Sequence, residues 1–87
     1  MTIFILDGTK MKSRESAYDH IAKVCLFPGY FGKNLDALAD CLSEVHSDTV
    51  IILMNRDAML DALGDYGFKI LEVLRENSIG RYAFAEK

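Results

Sequence analysis

Asp36, Asp40 and Glu44 recur at i, i+4 and i+8 in the stretch NLDALADCLSEV, the spacing that stacks side chains on one face of a helix. Like charges so placed destabilise an isolated helix by about 0.2 to 0.5 kcal/mol per pair. No Lys or Arg lies between Asn34 and Asn55 to relieve them. Acid–base catalysis by paired carboxylates needs one of them buried against apolar walls, so that its pKa rises. These three instead lie opposite the arc of Leu35, Leu38, Leu42 and Val45 and are expected to face water together. Taken alone, such a ridge is accounted for by a solvated helix face. Two features set it apart: the segment that follows lacks cations, and the preceding loop carries Tyr30-Phe31 where a solvated connection would be polar. An anionic ridge beside an exposed aromatic loop has the composition of a protein interface.

Other chemistries find no footing. Gly32-Lys33 resembles the end of a phosphate loop, but that motif needs a Gly five residues before Gly32 and a Ser or Thr after the Lys, where this chain has Phe27 and Asn34. His20 and His46 stand apart and outside any metal-ligand array, so both are read as surface or hydrogen-bonded histidines. Cys25 and Cys41 form no CxxC pair and fall on or beside the apolar arcs of two predicted helices, where a thiol is inert. No enzyme activity, metal or other cofactor is expected.

The elements that must position the ridge fit in 87 residues, enough for one domain over residues 1–87. With 51% hydrophobic residues and one Pro the chain reads as globular. Its longest apolar run, Val50 to Met54, is far shorter than the roughly 20 residues a bilayer-spanning helix needs. MTIFILDG lacks the basic region and cleavage site of a signal peptide, and the chain is expected in the cytoplasm. Between Asn34 and Phe68 seven carboxylates (Asp36, Asp40, Glu44, Asp48, Asp57, Asp61, Asp65) face one cation, Arg56. That balance repels nucleic acid and attracts a basic partner.

Thr2 to Leu6 reads as a buried strand closed by the turn dipeptide Asp7-Gly8. Ser13 caps a helix to about Cys25 with Ala17, Ile21, Val24 and Cys25 on one face; Pro28-Gly29 stops it, and Asn34 caps the acidic helix. Val50 to Met54, apolar without alternation, predicts a strand covered on both faces or central in a parallel sheet. Asn55 is read as the cap of a helix over 56–63 and Asp65 as the cap of one over 66–77, with Gly80 ahead of a last strand at 81–85. Strands separated by helices require crossovers, hence an α/β fold with a three-stranded parallel sheet and four helices in two layers.

The string YFGKNLDALADCL, residues 30–42, resembles the barstar-like family of ribonuclease inhibitors, whose pattern there is two aromatics, Gly, a variable residue, Asn-Leu-Asp-Ala-Leu, a variable residue and Asp-Cys-Leu. The likeness extends more weakly over the whole chain, through Asp7-Gly8, Leu26, Pro28 and Val73-Leu74-Arg75-Glu76. It implies the same three-stranded parallel fold and a helix and loop that plug the active site of a basic, extracellular or toxin ribonuclease of the barnase type, without a reaction. Carried over, Asp40 is the central anion and Asp36 and Glu76 flank it. Tyr30 is the aromatic contact, Gly32 permits close backbone approach, Asn34 and Leu35 line the loop edge, and Phe31, Ala39, Ser43 and Glu44 complete the contact face. No direct contact with nucleic acid or membrane is implied, and the free chain is expected to be a monomer. The departures lie at the rim: Phe31 where a second Tyr is common, Lys33 in place of an acid, Ala39 in place of a large aromatic, and Glu44 in place of Gly. An acidic module for a basic partner other than a ribonuclease is the alternative reading.

Overall fold

Thr49 to Met54, TVIILM, opens with four β-branched residues, is apolar after Thr49 and forms the central strand of the sheet in the computed structural model, which describes residues 1–87. This strand, β2 (Thr49–Met54), lies between β1 (Thr2–Asp7) and β3 (Ala83–Glu86), and both pairings are parallel. The first crossover carries α1 (Arg14–Cys25) and α2 (Leu35–Ser43); the second carries α3 (Arg56–Leu63) and α4 (Asp65–Ser78). Both crossovers step the same way across the sheet, so the right-handed rule puts all four helices on one face. Burial agrees: Leu6, Ile51 and Leu53 are fully enclosed, whereas their neighbours Ile3 and Ile5 are more than half exposed. The α/β architecture expected from the sequence is therefore present, with a correction. β1 is not a buried strand, and β2 is central but covered on one face only, because the crossovers leave nothing to cover the other.

The core is one cluster of fifteen residues that includes Leu6, Ile51 and Leu53 from the sheet, Tyr18 and Ile21 from α1, Leu38 and Leu42 from α2 and Leu74 from α4. Ser13 caps α1 as expected, its hydroxyl accepting the Ser16 N–H at 3.1 Å while the Ser16 hydroxyl accepts the Ser13 N–H at 2.9 Å. The helix closes at Leu26, a left-handed residue, before Pro28 is reached. Two other caps read from the sequence do not form. Asn55 is itself left-handed and its amide instead donates to the Asp7 carboxylate at 3.0 Å, tying the ends of β1 and β2 together. Asp65 is the first helical residue of α4 and makes no cap hydrogen bond; Gly64 takes the turn between the two helices, and Asp65 serves only the helix dipole. The last strand, expected over 81–85, runs instead over Ala83–Glu86: Tyr82 precedes it, buried with its hydroxyl donating to the Leu74 carbonyl at 2.7 Å.

Two carboxylates hold the ends of the strands. Asp7 also accepts the Thr9 N–H and hydroxyl, and these bonds with that from Asn55 hold its pKa down at about 2. Glu86 on β3 is bridged by Arg75 from α4 and Arg56 from α3, which lower its pKa to about 2. Each folded-state pKa lies below its unfolded value, so each contribution is complete above about 4.5 and is lost as pH falls toward about 2. Urea melts between pH 5 and pH 2.5 are expected to show falling stability, with a shallower fall in Glu86→Gln; an unchanged slope in that variant would exclude the Glu86 bridge as a contributor.

Candidate functional site

Asn34 begins the ridge helix with extended backbone, and its side-chain oxygen accepts the Ala37 N–H at 2.7 Å. Its amide also donates to the Gly32 carbonyl at 3.3 Å, so one residue caps α2 and holds the end of the loop. Asn34→Ala is expected to cost about 1 kcal/mol of stability, read by a denaturant midpoint; no loss would mean the cap is idle. Leu38 and Leu42 point into the core, and Leu35 and Val45 pack at its edge, which turns Asp36, Asp40 and Glu44 to solvent together. None of the three takes part in an ion pair. Ser43 is exposed with its hydroxyl turned back onto the Asp40 carbonyl at 2.6 Å, and Ala39 is half-buried between the ridge and the core-facing stripe.

The loop ahead of α2 divides its two aromatics. Tyr30 is 88% exposed, while Phe31 is half-buried, its ring 5.8 Å from that of Tyr18 and 5.3 Å from that of Phe27. The exposed aromatic loop expected from the sequence is therefore Tyr30 alone, and Phe31 anchors it. Beneath the anchor the Tyr18 and Tyr66 hydroxyls are hydrogen-bonded, and the Arg14 guanidinium lies 4.0 Å above the Tyr66 ring. Lys33, left-handed at φ 51°, sends its ammonium to Asp19 at 2.8 Å and Glu15 at 3.9 Å on α1. The cation nearest the ridge in sequence is thus paired with carboxylates of another helix. Gly32 is exposed, and a Cβ there would sit 3.4 Å from the Ala37 Cβ, already in contact.

Helix α4 packs against α2 and carries Glu76 on its exposed side. The carboxyl of Glu72, one turn earlier, shares a hydrogen bond with Glu76 and raises its pKa. Glu76 alone is expected from the sequence at this surface, although Glu72 stands at i, i+4 spacing from it. The partners of Lys33 carried no such signal, because α1 meets the loop only in the folded chain.

The remaining reactive side chains are occupied. The Cys25 thiol is buried, which pushes its pKa up to about 12, and that of Cys41 is raised by desolvation and by Glu44 and Asp40. The His20 Nε2 accepts the Asp7 N–H at 2.8 Å and the His46 Nδ1 accepts the Asp48 N–H at 3.0 Å, so both are hydrogen-bonded as expected. His20 has its pKa lowered by burial and by Lys10. Being depressed on folding, it contributes stability that is complete above about 6.5 and is lost as pH falls below that value. No group of three or more His, Cys, Asp and Glu is placed to hold a metal ion, and no helix is long and apolar enough to cross a membrane.

This arrangement offers an unrelieved row of carboxylates on a rigid helix, one exposed Tyr and a second helix with further carboxylates beside it. The chain is 36% identical over 77 residues to a Bacillus subtilis (strain 168) protein named "Putative ribonuclease inhibitor YrdF", covering 87% of this chain and 85% of that one. A family model described as Barstar (barnase inhibitor) matches residues 1–83, which include the ridge, the loop and Glu76. With the fold and both matches in agreement, the chain belongs to the barstar family of ribonuclease inhibitors.

Proposed function

We propose that this chain is a single-domain, cytoplasmic inhibitor that plugs the active site of a basic, barnase-type ribonuclease with α2 and the Tyr30 loop, and carries out no reaction. The observation that carries this reading is the state of the ridge. Asp36, Asp40 and Glu44 are exposed and unpaired, while Lys33 two residues before Leu35 is drawn off to Asp19 and Glu15. A helix that holds like charges together gains when a cationic cleft surrounds them. In such a cleft the carboxylates occupy the places of RNA phosphates. Asp40 takes the centre, Asp36 and Glu76 the flanks, and Glu44 extends the row. Tyr30 stacks at the cleft's edge, and Gly32, Asn34 and Leu35 line the approach of the loop backbone. Phe31 acts from beneath, and Ala39 and Ser43 leave the middle of the face flat.

The test is cleavage of a fluorogenic RNA by a barnase-type ribonuclease titrated with this protein. Inhibition is expected at one inhibitor per enzyme. Its association rate should fall as salt rises, because steering between opposite fields is screened over roughly 10 Å at 0.1 M ionic strength. A complete absence of inhibition would move the function to a basic partner of another kind, a reading that Ala39 favours by leaving no large aromatic for a nuclease cleft.

A further inference from the structure

The loop that carries Tyr30 has little of its own to hold it. From Pro28 to Asn34 the backbone is in no helix or strand. Its internal hydrogen bonds run from the Phe31 N–H to the Pro28 carbonyl at 3.0 Å and from the Asn34 amide to the Gly32 carbonyl. Two side chains tie it to α1 instead: Phe31 sets its ring against Tyr18, and Lys33 sends its ammonium to Asp19 and Glu15. Glu15, Tyr18 and Asp19 stand at i, i+3 and i+4, so one turn of α1 grips the loop at two points just after Tyr30.

Lys33 also holds a conformation that an L side chain rarely adopts, with φ 51°. Such strain persists where surrounding contacts over-determine the backbone, and it collects at ligand clamps. Gly or Asn would serve the bend itself with less strain. A lysine there is explained by its ammonium, which reaches the Asp19 carboxylate at 2.8 Å. Neither Asp19 nor Glu15 has another ion-pair partner, and neither belongs to the face proposed to meet the ribonuclease.

We infer that Asp19, supported by Glu15, is a positioning residue of the plug, an inference that rests on the inhibitor reading. Through Lys33 it holds the Tyr30 loop in its binding shape before a partner arrives. A loop ordered in advance loses less freedom on binding, and the gain is read as slower dissociation. The pair is exposed, so the effect is small in size and must be separated from charge alone. Lys33→Asn keeps a residue suited to left-handed backbone and makes the chain one unit more negative; Asp19→Asn makes it one unit less negative. Charge alone drives the two apart, toward faster association with a basic nuclease in the first and slower in the second.

Lost positioning drives both the same way. Dissociation from a barnase-type ribonuclease, followed by stopped-flow displacement, should be about two- to fivefold faster in each single variant and no faster again in the double. The charge-swapped pair, Asp19→Lys with Lys33→Asp, should restore the wild-type rate, which a generally loosened fold would not do. In the free protein both single variants should quicken amide exchange at Phe31 and leave Ile21, in the middle of α1, unchanged. If the wild type inhibits no ribonuclease, the inhibitor reading falls, while quickened Phe31 exchange in both variants still upholds the tether. Phe31 exchange as slow in both variants as in the wild type overturns the tether. Dissociation rates equal to that of the wild type overturn its role in the plug.

Discussion

Asp40→Ala should weaken inhibition of a barnase-type ribonuclease more than any other single truncation of the ridge. Asp40 lies between Asp36 and Glu44, and Leu38 and Leu42 fix the helix beneath it, so the backbone that carries it is in place before any partner arrives. Removing one partner of a desolvated charge pair costs about 2 to 5 kcal/mol, or roughly thirty- to several-thousand-fold in inhibition constant. Much of that loss comes from cations left buried without an anion, so Asp40→Asn, isosteric but neutral, should lose nearly as much. Asp36→Ala and Glu76→Ala, at the flanks, should lose less, and mainly in association rate. Equal inhibition constants for the wild type and Asp40→Ala would sink the plug geometry. Because Asp40 is exposed and outside every ion pair, the variant is expected to melt with the wild type. Relief of like-charge repulsion on α2 should even raise its stability slightly.

The second large effect falls on the fold. Gly8→Ala should destabilise the domain by about 3 kcal/mol or more. A Cβ at Gly8 would lie 2.1 Å from the Asn55 carbonyl oxygen and 2.9 Å from its carbon, with the Met54 carbonyl oxygen at 3.3 Å. All three are backbone atoms, so no side-chain rotation makes room. The junction of β2 with α3 would have to move, and Asn55 there is already left-handed and tied to Asp7. For a domain of this size each kcal/mol lowers Tm by about 4 to 8 °C, so a thermal melt should drop by well over about 10 °C. Gly29→Ala is the control: a Cβ there meets nothing within 4 Å, and its backbone does not need positive φ. If Gly8→Ala and Gly29→Ala melted alike, the close approach of the two strand ends would be wrong.

Much of the fold was legible because its signals are local. Ser13 and Asn34 cap the helices they precede, and the apolar arc through Leu38 and Leu42 points inward. Where two local options competed, neighbours in space chose. Asn55 had the chemistry of a cap, yet its amide was taken by Asp7, forty-eight residues away in the chain. Phe31 and Tyr30 are adjacent aromatics with the same expectation, and the ring of Tyr18 claimed only one of them. A run such as Val50 to Met54 is the same string whether one face or both are covered; the direction of the crossovers decided that.

By itself the sequence determined the elements, their order and the sign of the surface they carry, since hydrophobic period, caps and formal charge act over a few residues. The spacing of Asp36, Asp40 and Glu44 alone makes them an anionic ridge. Tertiary structure alone decided that the ridge keeps its charge unpaired, by folding Glu15 and Asp19 of α1 against Lys33. It likewise decided that Ile3, Ile5, Val50 and Ile52 face outward. Both outcomes depend on which distant segments meet, and charge pairing and burial are properties of that meeting.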